Sequence, residues 1–553
     1  MHRSISLLLT AAISGAALAQ SNERGANYDG ALTDVGATTA SGGFVFNGRT
    51  GVFPNGEMAL SFRNQLCNPG LVPVEWQSAG TSTVNQMKTD HPKFSFLVCR
   101  EVNGRFQQIS DWSFCKHAFT STNSSSTCGG SCTQPPNGGQ QCGVKCSDVY
   151  GASTNASQTW LSAPGEINPW LGTWAHVGSF FDIGHPGQAG YPLPADGVRS
   201  LSISGLSALD SRVRIMENQL QGTLTGSLYF QIQVIHEGER VENRGNNMMS
   251  RPFGLTWTGS TWSIVAPTSV ATYGSILTRW AGSTMTIGQN GDGTFAGTSD
   301  GRFAVAVKVA GPTNGLWHYE YAVHNIDNNR GGASFRLPVC SSARVLNIGS
   351  RDIDQNPLND WTSSVVGGEI VFQAPAGNAH RWNQVRNFWF DSDAAPVAGN
   401  ASIDEADPGP GALTVTVATS VPAYVPIVHL GNGCGTPAAT LTGNGGLPTA
   451  GNAAFGIMVT SAPAVPYVLL FSGPIAGAPI VPGCDFFIDA NAFGNLGGFV
   501  TDAAGTGLHT TGVDALWGDV HLQAATLIPS PPILGILGLS SAIRVRYNGA
   551  GCP

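Results

Sequence analysis

Phe94-Ser95-Phe96-Leu97-Val98-Cys99-Arg100-Glu101-Val102-Asn103-Gly104-Arg105-Phe106-Gln107-Gln108-Ile109 sets the fold class of this chain. Aromatic and β-branched residues fill the two arms. Asn103-Gly104 between them suits a type I′ turn, whose two central residues both need positive φ. The stretch predicts a β-hairpin of Phe94 to Val102 with Arg105 to Ile109. Working outward, Leu255 to Thr258 and Thr261 to Val265 predict a second hairpin across Gly259-Ser260. Leu228, Phe230, Ile232 and Val234 alternate with Tyr229, Gln231 and Gln233, the period of a strand with one buried face, and Phe303, Val305, Val307 and Val309 repeat it. Helical periodicity is confined to short turns near Ser207 to Glu217 and Ala271 to Trp280. The expectation is an all-β protein of two or more β-sandwich domains, with a disulfide-rich loop region near the N-terminal third.

Composition agrees with short strands joined by turns. Of 553 residues, 72 are Gly and 33 are Pro, while charged residues make up only 11%. Met1 to Ala19 reads as a cleavable secretory signal: His2 and Arg3, then an apolar run from Ile5 to Ile13, then Ala17-Leu18-Ala19. The remainder, at roughly 150 residues per domain, suffices for three or so domains. The divisions expected are 20–225, an N-terminal β-rich domain with the cysteine-rich loop; 226–403, a middle sandwich; 404–430, a linker around Asp407-Pro408-Gly409-Pro410-Gly411; and 431–553, a C-terminal sandwich. Six strands are expected in the last, at Phe455 to Thr460, Tyr467 to Phe471, Cys484 to Asp489, Gly498 to Thr501, His521 to Ala525 and Ile543 to Tyr547. The formal charge of −8 and the lack of a Lys/Arg cluster argue against nucleic acid and anionic membrane as partners. No run after the signal approaches the roughly 20 apolar residues of a transmembrane segment.

Eleven cysteines, an odd number, leave at least one thiol unpaired or paired with another chain. Cys115, Cys128, Cys132, Cys142 and Cys146 crowd into one stretch. Cys128-x3-Cys132 and Cys142-x3-Cys146 could be two halves of a thiolate zinc site, but an exported chain favours disulfides. Residues 121–143 hold almost no apolar side chains, so this loop needs cross-links to hold its shape. Cys434 and Cys484 are further disulfide candidates, and the pairing stays open.

Three stretches carry a resemblance: Trp317-His318-Tyr319-Glu320-Tyr321-Ala322-Val323-His324-Asn325, Arg381-Trp382-Asn383-Gln384-Val385-Arg386-Asn387-Phe388-Trp389-Phe390-Asp391, and Cys146-Ser147-Asp148-Val149-Tyr150-Gly151-Ala152. They resemble large, uncharacterised exported β-rich proteins of planctomycete-type bacteria. Gly431-Asn432-Gly433-Cys434, Pro482-Gly483-Cys484 and Thr501-Asp502-Ala503-Ala504-Gly505 are similar to parts of the Gly/Pro-rich β-sandwich that often ends those proteins. The resemblance implies export and a terminal sandwich module, and it attaches no activity.

Several constellations could carry chemistry. Gly297-Thr298-Ser299-Asp300-Gly301 matches a nucleophile elbow, but the strand expected after it, where an elbow needs a helix, turns the match into a hairpin turn. His236-Glu237-Gly238-Glu239-Arg240 lacks the second histidine of a metalloprotease helix. On the strand from Trp317 to Asn325, His318, Glu320 and His324 share one face at about 6.5 Å spacing, so a metal could be held there with a third ligand from a neighbouring strand. The plainer expectation is that the aromatic face packs and the His/Glu face meets water. Asp352-x-Asp354-x-Asn356, with Asp391-Ser392-Asp393, offers hard oxygens for an irregular calcium loop, or simply turn chemistry. His117 beside Cys115, with Cys146 and Asp148, could bind a metal or assemble a base and a nucleophile. Trp160, Trp170 and Trp174 cluster in one loop-like stretch, where exposed rings could stack on sugars and buried ones would simply pack.

The leading expectation is an exported, non-catalytic cell-surface or extracellular protein of β-sandwich type, binding an extracellular polysaccharide or envelope component, with calcium and disulfides holding its loops. The alternative is a secreted hydrolase or metal-dependent oxidoreductase acting on an extracellular polymer through His117, Cys146, Asp148, His318, Glu320 and His324. A structural subunit of an envelope layer is the third.

Overall fold

A computed structural model describes residues 23–36, 43–47, 56–76, 87–125, 128–220, 226–265, 269–291, 293–295, 297–340, 343–423, 427–446, 448, 450–513, 518–528, 533 and 535–546. The expected secretory signal lies outside the described residues. Strands dominate, and they pair antiparallel throughout. Both predicted hairpins form. Lys93–Val102 pairs with Arg105–Gln108, closing at Val102 opposite Arg105, and Asn103 and Gly104 take φ of 51° and 83°. Met248–Trp257 pairs with Trp262–Val265 across Gly259, whose φ is 94°.

Up to residue 423 the chain builds four stacked β layers. The outermost consists of two three-stranded sheets, centred on Asn64–Cys67 and Glu57–Phe62. They pack, through Leu32, Leu60, Leu66 and Trp76, on one face of an eight-stranded sheet that runs through Lys93–Val102, Ser227–Ile235 and Met248–Trp257. The other face of that sheet meets a five-stranded sheet centred on Leu316–Asn325, through Leu97, Cys99, Phe106, Ala304, Ala306 and Ala322. This third layer covers a fourth, built on Ser334–Pro338, with Phe303, Tyr319, Tyr321, Phe335, Phe372, Phe388 and Phe390 between them. The eight-stranded sheet runs across position 225/226, because Ser227–Ile235 pairs along its whole length with Lys93–Val102.

Period-2 alternation explains the stacking. On Arg302–Thr313 and Leu316–Asn325 the large side chains point to the fourth layer and the alanines to the second. Small residues let two sheets lie close without leaving cavities. The expectation of a water-facing His/Glu face is therefore corrected: Glu320 and His324 are buried under the second layer, and only His318, near the start of the strand, meets water. Leu228 to Val234 likewise has two covered faces. Its glutamines lie in the seam, where Gln231 donates to Asn383 Oδ1 at 3.1 Å and Gln233 to the carbonyl of Ile326 at 2.9 Å. Buried amides with partners are tolerated; without them each would cost about 1 to 3 kcal/mol.

Within the stretch expected as a linker, Thr414–Ala423 pairs with Ala395–Asp404 over ten residues, so 405–413 is the tip of a hairpin in the fourth layer. Beyond it a second unit closes a core of its own. A five-stranded sheet in the order Ile427–Leu430, Gly538–Arg546, Asp519–Thr526, Pro466–Ser472, Phe493–Val500 faces a three-stranded sheet of Thr440–Asn444, Gly456–Thr460 and Thr506–Thr510. Leu441, Phe455, Ile457, Leu469, Leu522 and Ile543 fill the space between. Five of the six expected strands lie in these two sheets, while the sixth shortens to Cys484–Phe486 and pairs apart from them with Ala478–Val481; Ile427–Leu430, Thr440–Asn444 and Thr506–Thr510 are strands the spacing did not announce.

Cys67 pairs with Cys128, Cys132 with Cys146 and Cys434 with Cys484, and Cys340 is disulfide-bonded as well. Two of the expected disulfide candidates are corrected: Cys115 and Cys142 are free and buried, as is Cys99. Cys115 sits on Cys115–His117 and packs with Trp174 and Phe181 rather than against another sulfur. Cys142 points its thiol at the carbonyl of Cys146, while the sulfur of Cys146 turns to Cys132. The loop is anchored from outside its own stretch, because Cys67 lies on the strand beside Ser147.

Candidate functional site

The expected metal residues separate into different surroundings. His318, the half-exposed one, has Nδ1 2.7 Å from Asp391 Oδ1 and Nε2 3.4 Å from Glu320 Oε2. Hydrogen bonds to the two carboxylates raise its pKa, Glu320 contributing most. Glu320 itself takes a bidentate pair from Arg105, at 2.6 and 2.8 Å. The Arg105 guanidinium also lies over Trp389, 3.4 Å from the ring centre. These groups join the tip of the first hairpin to the third layer. His324 is fully buried in the same seam, 2.8 Å from the Ser275 hydroxyl, and burial pushes its pKa down to about 4. Among the described residues no three His, Cys, Asp or Glu side chains gather in a way that could hold a metal ion.

His117 and Asp148 belong to two networks. His117 has Nδ1 2.7 Å from His91 Nε2 and Nε2 2.5 Å from the Ser162 hydroxyl, and Trp174 and Phe181 pack on its ring. His117 and both of its polar partners are buried. Burial, with Lys93, Lys116 and Arg199 around it, holds the His117 imidazole far below its ordinary pKa, so it is neutral. Asp148 accepts from Trp76 Nε1 at 3.0 Å and from the backbone and hydroxyl of Thr122. Asp352 accepts from Asn378, and Asp354 from the backbone of Asn356 and the amide of Asn359. These bonds are the turn chemistry of Asp and Asn. Ser299 bonds the carbonyl of Asn290 inside its own loop.

His236 and Glu239 lie in a buried charged knot at the junction of the second and third layers. They line a small cavity of about 10 Å³ together with Arg244, Arg302 and Asp327. Both arginines pair with Asp327, which their charges hold below its ordinary pKa. Glu239 accepts from the backbone of Gly30 at 3.0 Å and from Asn247, and burial raises its pKa to about 8.

An open groove of about 500 Å³ lies elsewhere, in 163–211, where regular structure is sparse. Phe180, Ile183, Tyr191 and Leu206 give it apolar walls, and Glu166 and Asp210 give it carboxylates. Polar side chains fix these loops in place of a sheet ladder. Asp182 accepts from the backbone of Gly178, Asp196 and Gly197 at 2.7 to 3.3 Å. Gln188 bonds the backbone of Ser200 and Ser202, and His185 the carbonyl of Ser202. Glu166 is set by Trp174 Nε1 at 3.0 Å and by the backbone N–H of Phe180 at 2.8 Å. Trp170 and Trp174 are core residues, so the exposed ring of the region is Tyr191, 39% accessible. Sequence reading passed over Glu166, Tyr191 and Ser162. The one available sign was a stretch rich in aromatic residues without a strand period.

No family model matches the chain. No curated protein matches it either. Among solved structures it is similar to BcpA, the major pilin subunit of Bacillus cereus, at 11% identity over 64% of this chain and 89% of that one, with a TM-score of 0.19. A variant of the same pilin follows at 10% identity, 61% and 84% coverage and a TM-score of 0.19. Escherichia coli alpha-2-macroglobulin activated by porcine elastase aligns at 8% identity over 91% of this chain and 34% of that one, with a TM-score of 0.13. Overlaps of this quality assign no partner and no activity to the chain.

Proposed function

We propose that this chain is an extracellular, non-catalytic β scaffold that binds a polysaccharide of the envelope or surrounding matrix through the groove in 163–211. The observation that carries the reading is the groove itself: apolar ring and aliphatic walls beside carboxylates, on loops pinned by buried polar side chains. Saccharides offer a C–H face for such rings and hydroxyl donors for carboxylates. The disulfides and the N-terminal apolar stretch support an oxidising, exported location. No helix among the described residues is long and apolar enough to cross a membrane.

The non-catalytic part of the reading rests on where the chemistry-bearing groups are spent. His117, Ser162 and His324 are enclosed in packed cores, and Glu320 is held by Arg105. Retention of the full disulfide-bonded chain on a panel of immobilised polysaccharides tests the proposal. Tyr191→Ala and Phe180→Ala should weaken retention without shifting the melting temperature by more than a few degrees. Passage of the wild-type chain through every column removes the reading.

A further inference from the structure

The charges around the groove are unequal. Of its two carboxylates, Asp210 is matched by Arg214 at 3.0 Å. Glu166 forms no ion pair among the described residues; its partners are the Trp174 indole, the Phe180 backbone and the Ser162 hydroxyl. No lysine or arginine is among the described residues lining the groove. A carboxylate held by neutral donors, half-buried beside Phe180 and Tyr191, lacks the counter-charge that normally accompanies it. Removal from water raises its pKa, against hydrogen bonds that lower it. A ligand ammonium would supply that charge, and the ring faces would stabilise it further by cation–π attraction.

Resting on the polysaccharide reading, we propose that the groove selects amine-bearing sugars: Glu166 takes the ammonium of a 2-amino sugar while Tyr191 and Phe180 take its C–H face. Neutral and acidic sugars lack the matching charge, and an acidic sugar would meet Glu166 with like charge.

The test uses the full disulfide-bonded chain titrated calorimetrically with two oligomers of equal length, one of glucosamine and one of N-acetylglucosamine, at a pH where the free amine is charged. The glucosamine oligomer should bind at least about ten-fold more tightly, the size of one charge-assisted contact, and the preference should shrink as salt is raised. Glu166→Gln should bring the two affinities within about two-fold of each other, since the amide keeps shape but not charge. Tyr191→Ala should weaken both oligomers alike. Equal affinity in the wild-type chain, tighter binding of the acetylated oligomer, or an undiminished preference in Glu166→Gln overturns amine selection while leaving polysaccharide binding in place. Failure of both oligomers alongside retention on another polysaccharide does the same. Failure on every polysaccharide overturns both proposals.

Discussion

Glu239 and His236 are neighbours in one buried knot, and burial moves their titrations in opposite directions. Glu239 is raised from 4.5 to about 8, so the folded chain keeps a proton that the unfolded chain releases. Its contribution to stability is complete below about 4.5 and is lost as pH rises through 8. His236 is lowered from 6.5 to about 3, so its contribution is complete above 6.5 and is lost as pH falls through 3. Denaturant unfolding from pH 5 to 9 should show stability declining between about 6.5, above which His236 no longer offsets Glu239, and about 8, and Glu239→Gln should flatten that limb. An unchanged slope in the variant would assign the alkaline loss to another group. Thiol chemistry gives a second expectation at this scale. Cys99, Cys115 and Cys142 are buried and their thiols are raised by burial, Cys142 to about 12. Maleimide should leave all three unmodified in the native chain and label them on unfolding. Mass spectrometry of native and denatured samples reads this directly.

The element that most clearly joins the layers is the hairpin tip at residues 101–105. Lys308 pairs with Glu101 at 2.9 Å, Trp280 donates its indole N–H to the carbonyl of Gly104 at 3.0 Å, and Arg105 is clamped between Glu320 and Trp389. Arg105→Ala leaves Glu320 buried without its guanidinium. It should cost about 2 to 3 kcal/mol, below the largest values for buried pairs because the Arg105 side is partly exposed. Arg105→Lys should recover little, since an ammonium cannot reproduce the fork or the stacking. Equilibrium unfolding of the two variants measures both effects. The cysteine-rich loop shows the opposite economy, with few apolar contacts and two cross-links. Reduction should make residues 121–143 the first site of limited proteolysis, while the third and fourth layers stay protected.

Across the whole molecule, the C-terminal unit has its own core and meets the stacked layers through charged groups. Arg544 and Arg546 both reach Asp393, at 3.4 and 3.0 Å. Two separable cores predict two calorimetric transitions rather than one. Asp393→Ala should lower the transition of the terminal unit and leave the other in place, because the core on Tyr319, Phe388 and Phe390 is untouched. A single transition that shifts as a whole in this variant would mean that the two units unfold together.

The sequence by itself determined the most regular strands and the turns between them, though not Val213–Met216, which lies in a stretch read as a helical turn and pairs with Glu57–Phe62. Asn103-Gly104 and Gly259 demand positive φ, period-2 runs demand extended backbone, and both are local properties that short stretches carry in full. It also announced five strands of the C-terminal unit, but not Ile427–Leu430, Thr440–Asn444 or Thr506–Thr510, which complete its two sheets. Which face each strand buries was decided by tertiary structure. His318, Glu320 and His324 alternate as on any half-wet strand, and only the sheet stacked above shows that two of the three are enclosed. Disulfide pairing was decided there too, since Cys67 reaches Cys128 across 61 residues while the closer Cys115 and Cys142 face cores. The groove is the extreme case: Glu166, Phe180, Tyr191 and Asp210 follow no period, and Asp182 and Gln188 hold their loops together by backbone hydrogen bonds. Such a site is a juxtaposition of chain segments, and juxtaposition is set by packing rather than by any short-range pattern.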